Sequence, residues 1–595
     1  MSCVADKYLS DNYVVLDFET TNIDYGNAAE PDNRLILSCW KTAKTNVKAL
    51  WGSEYKIQRV LDAISRADFV VAHNAKMELK WLVRAGLDLS NVLVYDTMIG
   101  DYVLAGNRSV ALSLGEVSKR YGYGDKDKYV QSMLDSGVCP SQMPTNLLLR
   151  RCTKDVLQTE AVFLLQRDAL RQAGLLPVQY TRCFATPMLA DIEMRGMHLD
   201  AERVRAAYVA GRTQLNEVEA ELQEFTGGLN PRSPKQVAEY LYDKLGFDCP
   251  KVKGQPVRAT DKAAIAGLRA STPEQEKFLE LKRKHAVLEA EVSKALEKFN
   301  DCINDESSDD VLLASFNQCI TQTHRLSSSG SKYKVQFQNF ARKFKPLFNA
   351  RNPGWLIGEP DGSQLEFRVA GFLGQDRQAY EDIMNKVDVH TFTAQTLTAA
   401  GQKTDRQGAK SHTFKPLYGG QSGTKAEKAY YTAFRLKYPG IAAAQEAWKR
   451  TVLLHKKLRT CTGLTFYWPD TTQDRSGYIT NSTAICNYPV QSLATADIIP
   501  IAVTYLWRAM RAHGMKSFLV NTVHDSAVAE LHPDEVELFK SLSVKAFTED
   551  VYRYLKEVYN IEFNFPLGVG CKIGTHWGEG TEYSTQVVPP FAPPS

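Results

Sequence analysis

The sequence predicts an α/β multi-domain protein, and three observations carry that prediction. At 595 residues the chain is long enough for about four domains. Its first 180 or so residues alternate short β-branched and aromatic runs with amphipathic stretches, whereas Glu217–Leu222 and Thr272–Phe299 are charged, poor in glycine and helical in pattern. Towards the C-terminus, apolar runs of strand type return around tight turn signals.

The elements follow in order. Tyr13-Val-Val-Leu-Asp17-Phe-Glu19-Thr-Thr reads as an apolar strand, and its alternation sets Asp17 and Glu19 on one face, able to share a cation. Phe69-Val-Val-Ala-His-Asn74-Ala-Lys-Met-Glu78-Leu-Lys-Trp, Tyr95-Asp96-Thr-Met and Cys152-Thr-Lys-Asp155-Val come after it. Asp96 is expected to hold a helix start. Thr272–Phe299 predicts long amphipathic helices. Trp355-Leu-Ile-Gly then stops at Glu-Pro-Asp361-Gly, which predicts Asp361 at a strand end and a helix beginning near Ser363.

Arg406-x3-Lys410-x3-Phe414-x3-Tyr418-Gly419 repeats every four residues. On an α-helix these side chains form one drifting stripe roughly 18 Å long. Two cations followed by two aromatics suit a ligand with a polyphosphate at one end and a base at the other, such as a nucleoside triphosphate. Pro416 falls inside the stripe, which predicts a kink or an early helix end between His412 and Pro416. Ser517–Leu531 reads as two strands around a tight His524-Asp525 turn. An aspartate at each of two turns can converge on a pair of Mg²⁺ ions, which clamp the attacking and leaving oxygens of an in-line displacement.

Composition narrows the partners. Lys and Arg total 72 against 68 Asp and Glu, a net charge of +4, which does not by itself announce nucleic-acid binding. Lys282-Arg-Lys-His285 and Arg342-Lys-Phe-Lys345 could track phosphates or simply be solvated helix faces. The 11 cysteines are scattered without C-x-x-C pairs, against a disulfide framework or zinc site. No apolar run approaches 18 residues and Met1–Lys7 is no signal peptide, so a soluble, cytoplasmic protein without a membrane partner is expected. The tail Val587–Ser595 is expected to be extended polyproline-type chain, docked on the body or on a partner.

These words in this order resemble the family A, bacterial polymerase I-type DNA polymerases. Asp361-Gly-Ser-Gln-Leu-Glu366-Phe-Arg368 is similar to the family's D-x-S-Q-x-E-x-R segment, the repeat to its fingers helix, and Val523-His524-Asp525 to its V-H-D hairpin. Arg325-Leu-Ser-Ser with Gln338-Asn339, Asn487-Tyr-Pro-Val-Gln491 with Asp497, Asp388-Val-His390 and Asn230–Gln236 resemble further segments. The resemblance implies Asp361 and Asp525 as ligands of two Mg²⁺ ions (Mn²⁺ could replace them), and Arg406, Lys410 and His390 as triphosphate contacts. It implies Phe414 against the incoming base and sugar, Tyr418 beside the templating position, and Glu366 filling the space of a 2′-hydroxyl. Arg325, Gln338, Asn339, Gln491 and His524 would touch primer-template DNA, several of them in the minor groove. Gly362 replaces a usual aromatic, and Ser526 a usual glutamate.

The N-terminal words resemble the DEDD 3′→5′ exonucleases, with an RNase H-like fold. Asp17, Glu19, Glu78 and Asp155 would bind its two metals. Glu78 stands in for the usual aspartate, and Arg151 and Arg150 occupy the places of the usual tyrosine or histidine, so an inactive exonuclease is the alternative. The implied organisation is an exonuclease domain at 1–180 and a right-hand polymerase domain at 181–595. Within the latter fall a thumb at about 200–320, palm at about 321–375 and 461–580, and fingers at about 376–460. The expected protein is a monomeric DNA polymerase using dNTPs, of the short phage replicative kind and so in the host cytoplasm, without a 5′-nuclease domain or processivity-factor insert. No residue speaks for or against 2-aminoadenine. The rivals are a single-subunit RNA polymerase and a degenerate DNA-binding scaffold.

Overall fold

The computed structural model describes residues 4–52, 57–124, 128–252, 255–330, 332–420 and 422–594, with the side chains of Lys128, Lys251, Val252, Asn339 and Lys410 outside that description. Two five-stranded sheets organise these residues. The first comprises β1 (Tyr13–Thr20), β2 (Leu35–Thr42), β3 (Lys48–Trp51), β4 (Phe69–Ala72) and β5 (Val94–Asp96), in the order β3-β2-β1-β4-β5. β1 runs antiparallel to β2 and parallel to β4, so it is central and buried on both faces; hence its nearly unbroken apolar sequence. A 28-residue helix, Thr145–Gln172, packs across β1 and β2.

The second sheet is wholly antiparallel. Its strands are β6 (Leu356–Gly362), β7 (Phe518–Val523), β8 (Ser526–Leu531), β9 (Leu567–Gly574) and β10 (Thr581–Val587), ordered β7-β8-β6-β9-β10. The sheet thus continues past Trp577 to Val587. Beyond it Phe591 packs on Tyr552, ring centroids 6.5 Å apart, so the tail docks on the body.

The helical segments lie between the sheets in sequence. Ala201–Thr226 is antiparallel neighbour to a helix that starts at Pro273 and continues through a π-turn at Val292–Leu296 to Ile303. Their tip has its own small core, with Leu222, Leu241 and Phe278 among its buried residues. Every other buried apolar cluster residue, from Ala5 to Trp577, belongs to one continuous core. The phosphate-tracking expectation fails for half of the first basic run: Lys282 and His285 point inward, and Lys282 Nζ donates to Pro231 O at 2.8 Å. In the second run Lys343 pairs with Glu291 and Lys345 with Glu359.

Buried ion pairs join segments far apart in the chain. Lys76 and Lys80 reach Glu193 at 2.5 and 3.2 Å. Arg182 Nη1 donates to Asp497 Oδ1 and to Ala496 O, each at 2.6 Å, and Tyr559 adds a hydrogen bond to the same carboxylate oxygen. Asp497 lies within Ser482–Ala512, a helix long and apolar enough by composition to cross a membrane; 89% of its apolar window is buried inside the protein, as in a core helix. The expectation that no stretch approached that length overlooked this segment, because a few polar residues interrupt the run. Every described cysteine is a free thiol.

Candidate active sites

β6 and the β7–β8 hairpin bring the two predicted aspartates together. Asp361 pairs across the sheet with Ser526, and Gly362 N donates to Asp525 O at 2.8 Å. The hairpin turn is the two-residue His524-Asp525 that the sequence predicts, with His524 at φ +54°. The β6 expectation holds to within two residues, with Asp361 next to the strand's end. The strand runs through Glu359-Pro360-Asp361 to Gly362, and the helix starts at Leu365, after a turn with Gln364 at φ +48°. Pro360 lacks an N–H, so the ladder to β8 lapses between Gly358 and Asp361 while β9 holds the other edge. At Gly362 a Cβ would stand 3.3 Å from Ile499 Cδ1, so the neighbouring helix already fills the room next to it.

The local electrostatics are those of an acidic cleft. Asp361 opens to solvent on one side, yet protein walls it on the others. Burial, then the Asp525 charge, then Glu359, push its carboxyl up to about 7. Burial raises Asp525 as well, opposed by Arg325. Glu366 is pushed up to about 7 by burial and by Asp525, again with Arg325 opposing. Arg325 Nη2 meets His524 Nδ1, which places that cation over the hairpin. Gln338 is buried and its Nε2 donates to Thr522 O at 3.4 Å. Gln491 is half-buried at the end of an α-helical segment, and its carbonyl accepts from Thr495. The Asn339 side chain lies outside the described residues.

The four-residue stripe does not survive as one helix. The α-helix spans Arg406–Thr413, and a 3₁₀ turn spans Lys415–Tyr418, as Pro416 predicts. Gln445 Nε2 donates to Pro416 O and Leu417 O at 2.9 and 3.0 Å and fixes the broken turn. Gly419 follows at φ +68°, and a Cβ there would meet Cys486 Sγ at 2.9 Å, so glycine is required by conformation and by packing. Phe414 faces the His390 ring, centroids 5.5 Å apart, and His390 Nδ1 lies 2.9 Å from Thr413 Oγ1. Arg406 is pinned by Asp388, which also caps the helix bearing His390. Tyr418 is half-buried; the Lys410 side chain lies outside the described residues.

Sequence reasoning missed Glu359 here and gave Asp388 and Lys345 no part in the site. Asp388 anchors Arg406. Glu359 accepts from Ser526 Oγ at 3.3 Å and pairs with Lys345 Nζ at 2.6 Å. The i−2 spacing from Asp361, which puts both on one strand face, was the signal available for Glu359. Lys345 stood out only as the end of a basic run.

A second acidic cluster lies on the first sheet. Donor atoms of Asp17, Glu19 and Cys152 all fall within 4.8 Å of one another, and the Cys152 thiol donates to Asp17 O at 3.3 Å. Glu78 is buried; burial, then the Asp17 charge, hold its carboxyl well above the usual range, and its Oε2 has no hydrogen-bond partner. Arg151 Nε lies 3.0 Å from Glu19 Oε1 and 3.7 Å from Asp155 Oδ2. That Nε makes no directed hydrogen bond, so these are charge contacts. Asp96 caps a helix, accepting from Met98 N, Asn74 N and Ala75 N, the structural role expected of it.

Both clusters can be tested as cation sites on their own chemistry. In the cleft, two hard carboxylate donors at neighbouring strand ends are held at a charge cost, which suits a divalent ion. On the first sheet, the orphaned Glu78 oxygen beside Asp17 suits one as well, while Glu19 and Asp155 already face a guanidinium.

An antiparallel sheet with carboxylates at the ends of adjacent strands, faced by a helical arch carrying Arg406 and Phe414, defines a palm-and-fingers polymerase fold. The sequence profile of DNA polymerase family A matches residues 202–579, and the chain belongs to that family. It is 25% identical over 549 residues to DNA polymerase I of Synechocystis sp., covering 86% of this chain and 53% of that protein. It is 24% identical over 548 residues to DNA polymerase I of Aquifex aeolicus, covering 85% of this chain and 88% of that one. The chain thus spans about half the length of some of the relatives it matches, such as those of Synechocystis and Chloroflexus aurantiacus. Its fold is similar to the POL domain of Pol1 from M. smegmatis in complex with DNA primer-template and dNTP. The TM-score is 0.75 at 20% identity, over 96% of this chain and 97% of that one.

Proposed function

We propose that the chain is a template-directed DNA polymerase of the polymerase I type, adding deoxynucleotides to a primer 3′ end. The observation that carries this reading is the convergence of Asp361, Asp525, Glu366 and Arg325 on one cleft, from segments up to 200 residues apart, inside the region that matches family A. A structure of similar fold holds primer-template DNA and dNTP, which supports the same classes of partner here.

Asp361 and Asp525 would hold the divalent ions, Mg²⁺ by preference. When bound, such ions supply charge neutralisation for the triphosphate and lower the pKa of the attacking hydroxyl. The protein's own part is positioning and electrostatics. Arg406 would leave Asp388 for the triphosphate, with Lys410 and His390 beside it. Phe414 and Tyr418 would shape the base-pair slot. Glu366, in the cleft wall, would crowd out a 2′-hydroxyl. Arg325, His524, Gln338, Asn339 and Gln491 would line the primer–template end.

The test is primer extension with Asp525→Asn. Synthesis should be abolished while primer–template affinity changes by less than about threefold, since the variant removes a ligand and not the fold. Undiminished synthesis would sink the assignment.

A second reading stands on a separate observation. Asp17 and Glu19 on β1 meet Glu78 and Asp155 from two helices, beside a sheet of order β3-β2-β1-β4-β5 with mixed strand directions, which supports an RNase H-like 3′→5′ exonuclease.

A further inference from the structure

The N-terminal acidic cluster already contains a cation, and that cation belongs to the chain. The helix Thr145–Gln172 presents Arg151 and Asp155 on one face, four residues apart, and lays them against the Glu19 end of β1. Arg151 is only 16% exposed, and its Nε sits between Glu19 Oε1 at 3.0 Å and Asp155 Oδ2 at 3.7 Å. A guanidinium cannot be deprotonated within a protein, so the charge is permanent. A divalent ion entering between these two carboxylates would meet a fixed positive charge a few ångströms away, in surroundings that screen it poorly.

The other half of the cluster is different. Glu78 is 4% exposed, and its Oε2 finds no hydrogen-bond partner among the described residues. Asp17 is close enough for its charge to be the second cause, after burial, of the raised Glu78 carboxyl. A buried, unpartnered carboxylate oxygen beside a second carboxylate is costly unless a cation joins it.

We propose that Arg151 is a resident counter-ion holding Glu19 and Asp155, so that the centre takes one divalent ion, at Asp17 and Glu78, in place of two. This rests on the exonuclease reading for its biological use but not for its geometry. Arg151 is on this account a positioning residue: it fixes two carboxylates and sets the ion count.

The experiment uses the full chain carrying Asp361→Asn and Asp525→Asn, which removes the cleft from the count. Mn²⁺ binding is titrated by the electron paramagnetic resonance of the free ion. With Arg151 present, one ion should bind per chain, and Asp17→Asn should abolish it. Arg151→Gln should admit a second ion, or tighten its binding at least about tenfold, whereas Arg151→Lys should keep the count at one. Arg151→Tyr is the second neutral variant, read by the same count should the glutamine variant unfold. Two ions bound with Arg151 in place, an unchanged count in the neutral variants, or binding indifferent to Asp17→Asn would overturn the proposal.

Shortening of labelled single-stranded DNA, followed in parallel, separates the two claims. Ion counts as expected with no shortening by any variant would leave the counter-ion in place and remove the exonuclease. Shortening that Asp17→Asn abolishes, with equal ion counts across the Arg151 series, would keep the exonuclease and remove the counter-ion.

Discussion

Replacing Glu366 by glutamine isolates the charge cost of the cleft. In the metal-free protein the Glu366 carboxyl is pushed from 4.5 up to about 7, first by burial and then by the Asp525 charge. A carboxyl raised in the folded state binds its proton more tightly there than in the unfolded chain. Its contribution to stability is therefore complete below about pH 4 and is lost as the pH climbs through about 7. Over that interval the change amounts to about 3 kcal/mol at full strength, and less to the extent that solvent screens the half-buried group. Glutamine keeps the shape and never ionises. Glu366→Gln should equal the parent protein near pH 4 and exceed it at pH 8 by about 1–3 kcal/mol in the unfolding transition that exposes the cleft. Urea titrations in a chelating buffer at pH 4, 6 and 8 measure this. A variant no more stable than the parent at pH 8 would refute the reasoning, because the carboxylate would then be well solvated or well paired.

Two further outcomes follow from the same geometry. Asp497→Asn strips the buried Arg182 of its counter-charge at 2.6 Å and leaves a guanidinium with little access to water. It should cost about 3–5 kcal/mol, read as a lower denaturant midpoint, and should speed limited proteolysis of the segments around Arg182. Gln445→Ala removes the side chain that satisfies Pro416 O and Leu417 O. It should cost about 1–3 kcal/mol and raise the KM for dNTPs more than it lowers kcat, because it disturbs the slot beside Phe414 and Tyr418 and not the acidic cleft.

Much of the cleft was legible because it is written in local words. The His524-Asp525 hairpin follows from two β-rich runs with two residues between them, and the helix break follows from the missing N–H of Pro416. At β6 the Glu-Pro-Asp-Gly signal marked the strand end to within a residue or two, but the strand itself runs on through the proline. In the sheet the proline is tolerated, since β9 pairs on through Pro360 and Asp361 while only the ladder to β8 lapses. The stripe's spacing is real, but the backbone that would keep it in line ends at Thr413, as Pro416 foretold.

The sequence by itself determined which residue types stand at each turn and strand end, and so the family, the acidic pairs and the broken fingers helix. These depend on spacing and on backbone chemistry within a dozen residues. Only the tertiary structure decided which charges meet. Arg182 lies 315 residues from Asp497, Arg325 lies 199 from His524, and Arg151 reaches Glu19 from another element altogether. Such pairings have no periodicity to betray them. They are fixed by how sheets and helices pack, and where the meeting place is buried, as for Arg182 and Asp497, the low polarity of the interior strengthens the pairing.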